Sequence, residues 1–262
     1  MASERLERAA LGVVAALAIA LPAWRIATPR PAWAVPADIH TEYVRYLSGK
    51  DSITAIVAYP ERQDAAPGVI VIHEIFGMSD FVKDRVTQLA KDGFVAIAPD
   101  LLSRRGGTPP TQDQAVQMIR GLNPDTLTQD LDATYRFLRG IRAVRADRIG
   151  VIGFCWGGGQ SFRYATNNSE LKGFVVCYGP GPDSASLARL KAPGLGVYAE
   201  KDARISLSVP ATDSMMRKLG KSYQYRIYPG VGHGFIRSRD VPAVTDTAWS
   251  NIIDFFRAKL GS

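Results

Sequence analysis

The chain has 262 residues, 46% of them hydrophobic and 22% charged. That is the composition of an ordinary globular protein, at a length that suits one large α/β domain, and it excludes a disordered or fibrous chain. The net charge of +7 is scattered with no block of like charge, so it describes a solvated basic surface and not a nucleic-acid-binding stripe.

The N-terminus differs from the rest. A polar "MASERLER" precedes the apolar run "AALGVVAALAIAL", and "ATPRPAWA" ends in a small-x-small site at Ala32-Trp33-Ala34. That order reads as a secretory signal peptide over residues 1–34, with export to the periplasm or medium as its consequence and a cytoplasmic location as the alternative. The apolar run is short of the ~20 residues of a spanning helix, so membrane attachment is expected only through an uncleaved anchor. Cleavage after Ala34 would remove Arg5, Arg8, Arg25 and Arg30 with Glu4 and Glu7, leaving a net charge of +5.

Residues 35–262 read as a single α/β domain. "EYVRYL" and "SITAIVAYP", joined by the turn "SGKD", form an antiparallel hairpin. "GVIVIHE" is a continuous apolar strand that needs cover on both faces. Phe81, Val82, Val86, Leu89 and Ala90 then recur at helical spacing, with Ser79 placed to cap and Gly93 to stop the helix. "FVAIAPD" is another buried strand. After the loop "LLSRRGGTPPTQ", helical patterns cover residues 114–120 and 125–141. "RIGVIG" is a strand and "GGGQSFRYAT" opens a helix. "GFVVCYG", "GLGVYAE" and "SYQYRIYPG" are strands, and helices cover residues 208–219 and 245–259. Strands alternating with helices imply a mainly parallel sheet with helices on both faces. Ligands of such sheets sit at the carboxyl ends of the strands, so residues placed there carry the functional signal.

Three such residues stand out. Cys155, in "GFCWGG", is the apex of a strand-to-helix turn flanked by glycines, which allow close backbone approach and push the thiol out above the sheet. The helix opening behind it favours a thiolate and offers N–H groups to an oxyanion. His233, in "YPGVGHGF", is one of only three histidines. Asp202, in "YAEKDARI", can orient an imidazole, with Glu200 a competitor in the same turn. Nucleophile, acid and histidine in that chain order is the arrangement of α/β-hydrolases. Cys177 lies inside an apolar strand and reads as a core residue; its position does not suit a disulfide to Cys155. No acidic or histidine residues cluster at ligand spacing, so neither metal nor cofactor is expected.

"HEIFGMSDFVKDRVTQLAKDGFVAIAPDLLSR", "GVIGFCWGGG", "AEKD" and "GHGFIR" resemble the dienelactone hydrolase (carboxymethylenebutenolidase) family over roughly residues 42–260. The resemblance implies an α/β-hydrolase fold and a catalytic set of Cys155, His233 and Asp202. It adds Glu74 as a carboxylate against the resting thiol, the backbone N–H groups of Ile75 and Trp156 as oxyanion hole, and Arg104 and Arg237 as a grip on a substrate carboxylate. The expected partner is a small ester or lactone, carboxylated where those arginines act, and the expected protein is a monomer. The alternatives are a general exported carboxylesterase on the same residues, and a non-catalytic ligand-binding or redox thiol protein. Position 73 is His where the best-known members have Gln, and Gly234 stands where they have Ser. His73, at the end of an apolar strand, reads as a hydrogen-bonded structural residue.

Overall fold

The computed structural model describes residues 38–261; the expected signal segment over residues 1–34 lies outside them. The chain enters as β1 (Ile39–Ser48) and β2 (Asp51–Pro60), which pair antiparallel around a turn at Gly49 and Lys50. Then come β3 (Ala66–Ile72), α1 (Asp80–Lys91) and β4 (Val95–Pro99). A 3-10 turn, Ser103–Arg105, leads to α2 (Gln112–Arg120) and α3 (Pro124–Gly140). They are followed by β5 (Val144–Phe154), α4 (Trp156–Asn167), β6 (Gly173–Cys177), α5 (Ser184–Ala188) and β7 (Gly194–Ala199). The last elements are α6 (Ala203–Ser206), α7 (Val209–Lys218), β8 (Tyr223–Tyr228), α8 (Phe235–Ser238) and α9 (Pro242–Leu260).

All eight strands form one sheet in the order β1-β2-β4-β3-β5-β6-β7-β8. β2 meets β4 antiparallel, and every pairing from β4 to β8 is parallel. The expected α/β-hydrolase architecture, with its N-terminal antiparallel hairpin at one edge, is therefore observed. Side chains alternate between the two faces of each strand. Val69 and Val71 of β3 point into one core with Val82, Val86 and Leu89 of α1 and with Ile252 and Phe256 of α9. Ile70 and Ile72 point into the other core, against Leu131 and Leu138 of α3, Phe162 of α4 and Met216 of α7. Each such side chain buried in full contributes about 1.5–3 kcal/mol, so two covered faces stabilise the central strands from both sides.

Sequence periodicity placed the long helices to within a few residues. Asn123 caps α3 by accepting from the N–H groups of Asp125 and Thr126, and Pro210 sits in the first turn of α7, where a missing N–H does no harm. Ser79 stands at the N-cap of α1 but its side chain makes no capping hydrogen bond. The one-turn helices α5, α6 and α8 have no amphipathic repeat to announce them. Cys177 is fully buried, and both cysteines are free thiols. Among the described residues no helix is long and apolar enough to cross a membrane.

Candidate active site

The site is built at the carboxyl ends of β3, β5, β6 and β7. β5 and β6 are in register up to Phe154 opposite Cys177, and the Cys155 N–H donates to the Cys177 carbonyl at 3.0 Å. Cys155 then turns at φ 56°, ψ −119°, a conformation that strains a residue with a side chain by about 1–3 kcal/mol. The turn is held by the close seating of α4. A Cβ on Gly157 would stand 2.5 Å from the Ile72 carbonyl oxygen and closer still to that of His73, and one on Gly153 would strike the Gly157 carbonyl. Only glycine lets the first turn of α4 rest on the ends of β3 and β5 in this way.

His233 lies in the loop after β8 and Asp202 directly after β7. His233 Nε2 is 3.0 Å from Cys155 Sγ, and His233 Nδ1 is 2.5 Å from Asp202 Oδ2. Asp202 is 6% exposed, so its carboxylate meets the imidazole away from bulk water. The hydrogen bond with Cys155, and secondly that with Asp202, raise His233 from the ordinary 6.5 to about 9 against the opposing effect of burial. Glu200, the competing acid, is exposed and accepts from the Gly230 N–H at 2.8 Å. It braces the loop that leads to His233 and has no hydrogen bond to the ring.

Glu74 and Arg237 form a second pair. Arg237 Nη1 donates to Glu74 Oε2 at 2.7 Å, and the guanidinium lies 4.7 Å over the Phe76 ring. Burial raises the Glu74 carboxyl above its usual range, and Arg237 opposes that shift. The resemblance sets Glu74 against the thiol; here its hydrogen bond goes to Arg237 instead. Gly234, the departure after His233, has φ 79°, a left-handed conformation in which a serine would be strained, and it starts the turn of α8 that carries Arg237.

Arg104 lies apart from the Cys155–His233–Asp202 line, in an ion-pair network of its own. It donates through Nε and Nη2 to the buried Asp130 at 2.8–3.1 Å, through Nη1 to Asp51, and through Nη2 to the Ser48 carbonyl at 3.0 Å. All three nitrogens are thus committed to tying the β1–β2 turn to α3. The chain's own carboxylates occupy the fork that a substrate carboxylate would need.

Sequence reasoning missed several residues at the site. Tyr178, directly after β6, has φ 41° and is fully buried. Its ring stands edge-on to His233 at 5.1 Å, and its phenol oxygen has no hydrogen-bond partner among the described residues. Thr108, in the loop after Arg104, accepts from the Met78 N–H at 2.9 Å and donates to Asp100 at 3.0 Å, lacing the loop after β3 to the end of β4. Nothing in the sequence marks Thr108, because its partners lie 30 and 8 residues away. For Tyr178 the only signal was its place immediately after a strand. The backbone N–H of Trp156, first residue of α4, belongs to the helix turn that has no intrahelical acceptor. Ile75 follows Glu74 in the turn closed by the Gly77 N–H on the Glu74 carbonyl, at 3.2 Å. The arrangement sets a thiol against an imidazole that is itself held by a carboxylate. Among the described residues no group of acidic, histidine or cysteine side chains could hold a metal ion.

Comparison with known proteins places this geometry in context. The dienelactone hydrolase family model matches residues 53–260. A protein of Methylorubrum extorquens provisionally named carboxymethylenebutenolidase is 34% identical over 224 residues, which cover 78% of this chain and 76% of that one. A Bradyrhizobium protein provisionally named 2-oxo-3-(5-oxofuran-2-ylidene)propanoate lactonase is 31% identical over 235 residues, covering 84% and 94%. Among solved structures, a provisionally named dienelactone hydrolase from Klebsiella pneumoniae aligns with a TM-score of 0.76 at 27% identity, over 84% of this chain and 98% of that one.

Proposed function

The chain belongs to the dienelactone hydrolase family, and from that premise we propose that this hydrolase opens a lactone or cleaves an activated carboxylic ester with Cys155 as nucleophile. The observation that carries the reading is the unbroken line from Asp202 through His233 to Cys155, with contacts of 2.5 Å and 3.0 Å.

The chemistry runs as acyl transfer to water. An imidazolium at His233 favours thiolate at Cys155. The thiolate attacks the carbonyl carbon, and the N–H groups of Ile75 and Trp156 receive the oxyanion, each such donor being worth about 3–4 kcal/mol in the transition state. The C–O bond breaks, the leaving enolate or alkoxide takes its proton from His233, and a thioester remains on Cys155. Neutral His233 then draws a proton from water as its oxygen attacks the thioester, and the thiolate–imidazolium pair returns with release of the acid. Asp202 holds the Nδ1–H tautomer and balances the imidazolium. A thiol suits substrates with good leaving groups, of which enol lactones and aryl esters are the main classes.

A second reading, a broader esterase for uncharged esters, draws on one specific observation. Arg104 is engaged by Asp130, Asp51 and Ser48, and Arg237 is engaged by Glu74. Turnover of a carboxylated enol lactone against a neutral aryl ester, on wild type and Cys155→Ala, tests both readings. Cys155→Ala is expected to abolish all turnover, and the substrate ratio decides between lactonase and general esterase. Retained turnover in that variant, with loss in Cys177→Ala, would reverse the nucleophile assignment. We further propose that residues 35–262 form one domain exported by residues 1–34, which N-terminal sequencing of secreted protein checks.

A further inference from the structure

His73 stands outside the Cys155–His233–Asp202 line and is fully buried at the end of β3. Three contacts define its ring. The Leu101 N–H donates to Nε2 at 3.3 Å, which leaves the ring proton on Nδ1. Nδ1 is 2.8 Å from the Glu74 carbonyl oxygen, so Nδ1–H donates to it. The face of the ring stacks on Trp156, with centroids 5.6 Å apart and planes 21° apart. Burial pushes the imidazole's pKa down, against the Glu74 carbonyl and the nearby Asp100 carboxylate, which agrees with a ring that donates on one side and accepts on the other.

The Glu74 carbonyl belongs to the peptide that also carries the Ile75 N–H. A peptide is planar and trans, so fixing its C=O fixes the opposite direction of its N–H. His73 on Nδ1 and Gly77 N–H, at 3.2 Å, both hold that oxygen. The same imidazole braces the side chain of Trp156, which carries the second N–H. We propose that His73 is a positioning residue for the oxyanion hole, aiming the Ile75 N–H through the Glu74 carbonyl and steadying Trp156 by stacking. The inference rests on the reading of Ile75 and Trp156 as the oxyanion donors.

The test compares full-chain wild type with His73→Phe, which keeps a stacking ring but cannot donate, and His73→Asn, whose amide nitrogen stands where Nδ1 stands. Aryl-ester kcat and KM are read beside the rate of Cys155 alkylation by iodoacetamide and the thermal melt. Alkylation displaces iodide at a saturated carbon and builds no oxyanion, so it reports the thiolate without the hole. His73→Phe is expected to lose about 10- to 100-fold in kcat, less than deletion of a donor, with KM and alkylation rate unchanged. His73→Asn is expected to recover most of that loss. The proposal is overturned if kcat of His73→Phe is unchanged, if kcat and alkylation fall together, or if His73→Asn is no better than His73→Phe. Should the Phe variant not fold, His73→Leu serves as the non-donating partner with the same outcomes. Ester turnover by Cys155→Ala would instead remove the premise that the thiol is the nucleophile, which separates that failure from one at His73.

Discussion

Replacing Asp202 by Asn tests the whole relay with one atom. The carboxylate is 6% exposed and its Oδ2 lies 2.5 Å from His233 Nδ1. A charge-assisted hydrogen bond of this kind contributes about 1.5–3 kcal/mol, a factor of about 10 to 150 in rate. The amide adds a second effect. If its N–H2 turns to the ring, Nδ1 must accept, and the ring proton moves to Nε2, which faces Cys155 Sγ at 3.0 Å. Nε2 then cannot take the thiol proton. The two effects together predict a fall in kcat/KM of about 10²- to 10⁴-fold for Asp202→Asn. Because Asp202 helps to hold His233 at about 9, the alkaline limb of the pH–rate profile should also move toward neutral pH. The assay is aryl-ester turnover against pH, with ultraviolet absorbance of the thiolate followed in parallel. Unchanged kcat/KM and an unmoved alkaline limb would refute the reasoning, and Glu200→Gln would become the next variant to make.

The raised His233 carries its own sign: the imidazolium contributes stability that is complete below about pH 6.5 and lost as the pH rises through about 9. Thermal melts across that interval should fall in wild type and flatten in His233→Gln; parallel curves would contradict this. Gly157→Ala drives a Cβ into the carbonyls of Ile72 and His73, an overpacking of about 3 kcal/mol that should lower Tm by about 6–12 °C; an unchanged melt would mean that α4 can move off β3. Arg104→Leu strands the buried carboxylate of Asp130 and should lower stability by about 2–3 kcal/mol in denaturant titration, a buried-pair loss discounted for partial exposure, while leaving KM for a carboxylated substrate unchanged. A selective rise in that KM at unchanged stability would restore Arg104 to the substrate. Cys155→Gly should melt above Cys155→Ala by about 1 kcal/mol, since glycine alone is at ease at φ 56°; the reverse order would show that the turn stores no strain.

What could be read from the sequence was whatever the chain expresses locally. Apolar runs bounded by turn residues marked the strands, and 3.6-residue periodicity marked α1, α3 and α9, because those patterns repeat over several turns. Cys155, Asp202 and His233 were legible as candidates because each follows a strand, where parallel sheets expose residues to ligands, and the structure brings the three side chains together. The ion pairs of Arg104 were not legible, for the opposite reason. Its partners Asp51 and Asp130 lie 53 and 26 residues away, so an arginine sealed into an ion pair looks the same in sequence as one open to substrate. The edge-on contact of Tyr178 with His233 across 55 residues was invisible for the same cause.

The two strained residues of this site adjoin each other. Cys155 at φ 56° and Tyr178 at φ 41° follow β5 and β6, neighbouring strands tied by the Cys155 N–H on the Cys177 carbonyl. Tyr178 in turn donates its N–H to the Val197 carbonyl of β7 at 2.8 Å. Left-handed backbone at a residue with a Cβ persists only where its surroundings over-determine it, and here the fully buried central strands supply that constraint. The strain at Cys155 points the thiol toward His233, and the strain at Tyr178 sets a ring against the same imidazole from the neighbouring strand. Both conformations therefore act on one geometric quantity, the separation of Sγ and Nε2. The rigidity of the parallel sheet is what transmits the sequence of "GFCWGG" and "CYG" into that separation.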